Sequence, residues 1–294
     1  MVGFFQTVVP VAMLGFVISS MLGIGLGLSV GEILAPLRNA RLVILALVAN
    51  FIVLPVGAIG LGRVVGLDEP FAIGLLLLAS AAGAPFVPKL AQLARGNVAF
   101  GVGVMVLLMV VTVGYLPLAL PVLLPGVTVD PWKIGRSLFL LMLLPLAVGL
   151  AGRAGVPALA GRVKPVLDRI SSLSLTVLMV AITGANLRNV LSVFGTGGIL
   201  AGLLLIALGF AAGWLLGGPG RDTRSVLALG TAQRNIAAAL VVGSGFANPK
   251  VVVMVVVVAI VGLFILMPTA RLLSRSASAA SPSPVAPRSE VHRA

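Results

Sequence analysis

The sequence predicts an all-α, polytopic membrane protein of about nine transmembrane helices, arranged as a 4+5 inverted repeat with two of the helices broken. Composition gives the class: 60% of the 294 residues are hydrophobic and 9% are charged, with a mean hydropathy of +1.21. That balance belongs to a membrane protein rather than a soluble domain. Spacing gives the count. Each crossing of about 30 Å of hydrocarbon takes roughly 20 apolar residues, and the chain has room for about nine or ten. Two interrupted stretches give the arrangement.

The apolar segments are read in order as 5–29, 41–65, 71–94, 97–125, 132–152, 166–187, 195–217, 224–246 and 249–273. The first ends in MLGIGLGLS, glycines that suggest close helix packing. It has no basic leader and no small-residue cleavage site, so it reads as a span and not a removable signal. The second carries Asn50 and Pro55. The third is the first broken element, ASAAGAPFVPKLAQLARGN over 79–97. Gly83, Pro85 and Pro88 cut the apolar run and Lys89 follows. A proline removes a donor and clashes with the preceding turn, and lipid cannot satisfy the freed carbonyls. The break must therefore face protein or a water-filled cavity. Lys89 either serves there or snorkels to the headgroups.

The fourth segment has Pro117 and Pro121 near its end. The eighth is the second broken element, RSVLALGTAQRNIAAALVVGSGF. Gly230, Thr231, Gln233, Arg234 and Asn235 crowd polar groups into mid-span. An arginine at the bilayer centre costs about 2.5–3.5 kcal/mol on insertion scales, so Arg234 should face the interior and hold a partner. Residues 1–273 make one membrane domain with halves of about 1–125 and 131–273. Residues 274–294, rich in Ser, Ala and Pro, read as a disordered cytoplasmic tail. One break lies third of the first four segments, the other fourth of the last five. A 5+5 repeat that has lost its leading helix pairs them.

Charge placement gives the orientation. With the C-terminus in the cytoplasm, 13 Lys and Arg fall on the cytoplasmic side and 5 outside, Lys89 and Arg234 lying within spans. This is the positive-inside pattern, with the N-terminus outside. We expect an integral protein of a bacterial plasma membrane. The net charge of +13 is not a nucleic-acid signature, because the basic residues are scattered between apolar runs. Cysteine is absent and the single histidine, His292, lies in the tail. No thiolate or histidine metal centre is expected.

Broken helices with charge at the break point to a transporter's binding site. An intramembrane enzyme would need a nucleophile–base pair or a metal motif in the spans, and neither is read here. A non-transporting scaffold or sensor is the alternative of another class. Asn50, Thr183 and Asn186 are candidates to line a cavity or to glue helices. Trp132, Trp214 and Tyr115 read as interface markers.

NFIVLP in the second segment, LARGNVAFGVGV after the first break, GTAQRNIAAALVV at the second, and MLGIGLGLSVGEILAPLRNAR near the start together resemble the bile acid:sodium symporter family. The resemblance covers most of residues 10–270. It implies ten helices, or nine when the first is absent, in a panel and a core domain, with the broken helices crossing in the core. It also implies symport of a small or amphipathic organic anion with sodium, no cofactor, and a lipid environment. The family's ion-site residues are replaced. Its Ser-Asn pair falls on Val87 and Pro88, its hydroxyls on Gly101 and Met105, and its glutamate on Ala228, with Gly230 on the family glycine. Its Gln-Asn step falls near Ala232 and Gln233, and a glutamine is matched by Asn50.

The seven acids, Glu32, Asp68, Glu69, Asp130, Asp168, Asp222 and Glu290, are read in loops, at helix ends or in the tail. A cation site without anionic charge in low dielectric is weak. Lys89 and Arg234 are expected in the two breaks, where sodium ions stand in the family. They would hold the breaks together and attract an anion, arginine by a bidentate grip. The candidate binding residues are Asn50, Gly83, Pro85, Pro88, Lys89, Thr231, Gln233, Arg234 and Asn235. Substrate identity, coupling ion and oligomeric state are not given by the sequence.

Overall fold

Proline placement decides much of the helix architecture. In the computed structural model, which describes residues 2–124, 130–185, 193 and 195–279, the described residues are helical with connecting turns and no strand. The helices are α1 (Val2–Gly27), α2 (Val30–Leu34), α3 (Ala40–Val65), α4 (Glu69–Ser80), α5 (Val87–Leu93) and α6 (Val98–Leu123). They continue as α7 (Pro131–Gly155), α8 (Pro157–Ala185), α9 (Gly198–Leu216), α10 (Arg221–Ala232), α11 (Ile236–Gly243) and α12 (Lys250–Ala279). Seven of the described helical stretches are long and apolar enough to cross a membrane: Val8–Gly27, α3, α6, α7, α9, α10 with α11, and Lys250–Arg275.

Local chemistry starts these helices. Asn39, Asn97, Asp130 and Asn235 each accept a first-turn backbone N–H, from Leu42, Phe100, Trp132 with Lys133, and Ala238. These side chains satisfy donors that a helix start leaves open. Inside α3 and α7 a different event recurs. Each contains one π turn, Ala49–Val53 and Phe139–Leu143, and each turn is followed by Leu-Pro. Pro55 cannot bond the carbonyl of Phe51 and pushes against it, so the helix widens by one residue upstream. The Tyr115 hydroxyl donates to that Phe51 carbonyl at 2.9 Å. Tyr115, read as an interface marker, is thus a partner for a proline-freed backbone group.

Two groups of helices pack closely, joined where the start of α7 meets α6 and α11. α1 lies against α7 and α8, with Gly25 and Gly149 at their closest backbone approach. The glycine-rich end of the first segment therefore packs as expected. The second group joins α3, α4, α5, α6, α9, α10, α11 and α12. In it, Gly209 and Gly213 of α9 and Gly217 just after it bring the backbone of α10 within contact, and a Cβ on any of the three would strike main-chain atoms. Such four-residue spacing of small side chains lets membrane helices meet closely.

Three boundaries differ from the sequence reading. The segment predicted at 166–187 is a helix from Pro157 to Ala185 that accommodates Pro165. Its first turns carry Arg162, Lys164, Asp168 and Arg169, which masked it from an apolar reading. The last helix runs to Ala279, past the expected end at 273. Pro88, read as a breaker, sits in the first turn of α5, where a missing N–H does no harm. Gly83 and Pro85 occupy the actual gap between α4 and α5. The Thr183 side chain, Asn186 and the tail from residue 280 lie outside the described residues.

Replacing Tyr115 by Phe should lower stability by about 1 kcal/mol, the worth of one hydrogen bond to a buried carbonyl. The check is the thermal unfolding midpoint of the detergent-solubilised chain. An unchanged midpoint would mean the Phe51 carbonyl has another partner.

Candidate functional site

The site begins with two chain breaks laid against each other. Between α4 and α5, residues 81–86 leave the helix; between α10 and α11, residues 233–235 do so. The Asn235 backbone N–H donates to the Ala81 carbonyl at 2.9 Å. Its side-chain amide donates to the carbonyls of Ala82 at 3.3 Å and Gly83 at 3.1 Å, while its carbonyl oxygen caps α11. From the other side, Thr112 of α6 accepts from the Ala82 N–H at 3.0 Å and sits 3.1 Å from the Ala82 carbonyl, to which its hydroxyl donates. Gly83 has a left-handed φ of 78°, and a Cβ there would stand 2.3 Å from the Met109 backbone nitrogen. Only glycine meets both demands.

Arg234 fills the space between the breaks. It is 5% exposed. Its Nε donates to the Leu78 carbonyl at 3.1 Å and its Nη2 to the Ala79 carbonyl at 2.7 Å. Its Nη1 donates to Asn50 Oδ1 at 2.6 Å and to the Thr231 carbonyl at 3.0 Å. Asn50 in turn donates to Thr231 Oγ1 at 3.1 Å and to the Ala46 carbonyl at 2.9 Å. The three carbonyls belong to the last turns of α4 and α10, the ends where helix dipoles are negative. Its hydrogen-bond partners are neutral oxygens, from backbone carbonyls and one amide.

A guanidinium has five N–H donors in a fixed fork. Four hydrogen bonds to the protein engage it here. The bidentate grip on a ligand expected of Arg234 would require giving up protein partners.

Lys89 is elsewhere. It lies on α5, exposed, with Nζ 3.3 Å from Gln92 Oε1. The expectation that both cations occupy the breaks therefore holds for Arg234 and not for Lys89. The reason is that α5 starts at Val87, with Pro88 in its first turn, so Lys89 is already part of the helix and exposed.

Both cations border one cavity of about 980 Å³ between the two helix groups. Pro85, Pro88, Gln233 and Arg234 line it from the breaks. Thr231, Asn235 and Asn50 do not; they are buried behind it. The opposite wall is α8, through Lys164, Asp168, Ser171, Ser172 and Thr176. Those positions repeat at helical spacing, so one face of α8 is polar. Lys164 and Asp168 form an ion pair at 2.5 Å. Asp168, read as a helix-end acid, is thus the carboxylate on the cavity wall. Three cations face one carboxylate there. Phe16, Phe86, Met105 and Met267 are among the apolar remainder. The wall of α8 and the role of Thr112 were missed from sequence. The periodic polar residues from 164 to 176, and one threonine in an otherwise apolar span, are the signals that carry them.

The profile of the Sodium Bile acid symporter family matches residues 13–193. The chain belongs to that family. Among relatives, it is 24% identical over 253 residues to "Probable sodium/metabolite cotransporter BASS3, chloroplastic" of Arabidopsis thaliana, covering 83% of this chain and 59% of that protein. It is 29% identical over 205 residues to "Probable sodium/metabolite cotransporter BASS2, chloroplastic" of Oryza sativa subsp. japonica, covering 69% and 48%. A third, "Probable sodium/metabolite cotransporter BASS1, chloroplastic" of Arabidopsis thaliana, is 27% identical over 197 residues, covering 67% and 49%. The chain thus spans about half the length of these symporter-family relatives.

Sodium, which the family's description names, can be tested against the residues at the breaks. The carbonyls of Leu78, Ala79 and Thr231 are taken by Arg234, and those of Ala81, Ala82 and Gly83 by Asn235 and Thr112. The Ser80 hydroxyl is buried without a partner, but it is one oxygen, and sodium needs several. The residues between the breaks do not fit a sodium ion.

Asn50→Leu should lower stability by about 2–3 kcal/mol, because it removes the amide acceptor from a buried cation. Asn50→Asp should lose less, since it keeps an acceptor beside Arg234. Thermal unfolding of the two variants checks the order.

Proposed function

We propose that the protein is a secondary transporter that moves a small or amphipathic organic anion across the membrane by alternating access. The observation that carries the reading is the cavity: it touches both breaks, lies between two helix groups, and has three cations for one carboxylate. Its volume is at the upper end of small-molecule sites, whose apolar walls bury the ligand while few polar groups orient it. Lys89, whose partner is the neutral Gln92, is the group we assign to the substrate anion. The α11 helix starts at the cavity wall with Ile236 and Ala237 and turns its positive end toward the same space. α1, α7 and α8 act as the panel, and the remaining helices as the core that carries the breaks.

The membrane arrangement we propose adds the broken α4–α5 and the polar-faced α8 to the seven long stretches, giving nine crossings paired 4+5. The N-terminus is outside and the C-terminus in the cytoplasm. The presence of a cavity at both breaks also favours transport over a scaffold or sensor role. Sodium symport is the coupling that the family description and the relatives' names support. The misfit between the breaks favours a second reading, in which anion moves without sodium at that position.

Reconstituted proteoliposomes should take up one or more labelled carboxylates or sulfonates from a panel above the level of empty liposomes. Lys89→Gln should raise KM for that anion about tenfold, the worth of one hydrogen bond between charged groups, with the protein's thermal midpoint unchanged. Uptake of none of the panel would overturn the assignment.

A further inference from the structure

We infer that Arg234 is a resident cation, fixed by the chain in the oxygen cage between the two breaks, so that no sodium ion binds there during transport. Two independent features carry this. The first is the ligand set. Carbonyls at the ends of α4 and α10, with one amide oxygen, surround a single positive group at 2.6–3.1 Å. Unwound backbone carbonyls and half-helix C-terminal ends are the donors with which membrane transporters bind sodium. Here the chain supplies the cation itself.

The second feature is the absence of balancing charge at that position. Asp168, the carboxylate that lines the cavity, is paired with Lys164, and the hydrogen-bond partners of Arg234 are neutral. A sodium ion added beside the guanidinium would meet a like charge in low dielectric with no new anion to offset it. The two cations exclude each other. The side-chain oxygens nearby, on Ser80, Thr231 and Gln233, are neutral and do not offset the like charge.

Arg234 therefore does for the fold what a bound ion would do. It joins α4, α10 and, through Asn50, α3 into one body. Because its fork is engaged by protein, it acts on a cavity anion through its field, and Lys89 remains the group that touches the anion.

The experiment rests on the transporter reading only in its second arm. In the first, the thermal midpoint of the full chain in detergent is followed against sodium chloride, with choline chloride holding ionic strength constant. Wild type should show no saturable rise with sodium. Arg234→Ala should unfold at lower temperature and regain stability saturably with millimolar guanidinium. Arg234→Lys, which keeps the charge but loses the fork, should fall between them. A saturable sodium-dependent rise in wild type overturns the inference, and that measurement stands even if the alanine variant does not fold.

In the second arm, wild-type proteoliposomes that take up an anion should do so within twofold of the same rate when choline replaces sodium on both sides. A tenfold or greater loss overturns the inference. Absence of any uptake would overturn the transport assignment, and the thermal arm would still decide the identity of the cation.

Discussion

Backbone carbonyls released inside a membrane protein have no water to turn to, and the fold depends on how this chain answers them. Two helices stop short, and every break leaves polar groups that lipid cannot satisfy. Arg234 closes the ends of α4 and α10, Asn235 stitches one gap to the other, and Thr112 holds the Ala82 peptide from both sides. Tyr115 does the same for the carbonyl that Pro55 sets free. Both breaks and the π turn of α3 have a named side chain that compensates them. The breaks can then be permanent features without destabilising the bundle.

This arrangement separates two jobs that charge performs. The buried guanidinium spends four of its five donors on the protein and organises the helices. The exposed lysine on α5 keeps capacity for a ligand. The α8 wall adds hydroxyls and an ion pair across the cavity from them. An arginine and a lysine near the two breaks look alike in sequence, yet Arg234 is buried and Lys89 is exposed. A long, flexible, strongly hydrated ammonium group suits an exposed position, and the planar fork suits the fixed carbonyls.

Much of this was legible in the sequence, and the limits have physical causes. Apolar length and the positions of Gly83, Pro85 and Arg234 gave the helices and both breaks. The inward turn of Arg234 followed from the cost of placing its charge in lipid. Pro88 misled because the same residue that ends one helix is well suited to begin the next. The start of α8 was obscured by four charges within its first turns, which lower hydropathy without breaking the helix. Thr112 and Tyr115 were not found, because their partners are main-chain groups on other segments, and no spacing in the sequence connects them.

A charge on a covalent stem differs from a dissolved ion in one further respect. In the transport cycle we propose, Arg234 returns to its starting place whatever path it follows, and the net electrical work done on it is zero. An ion released on the far side carries work of about 2.3 kcal/mol per 100 mV with each turnover. A carrier whose cation never leaves has its flux directed by the gradient and the charge of its own cargo.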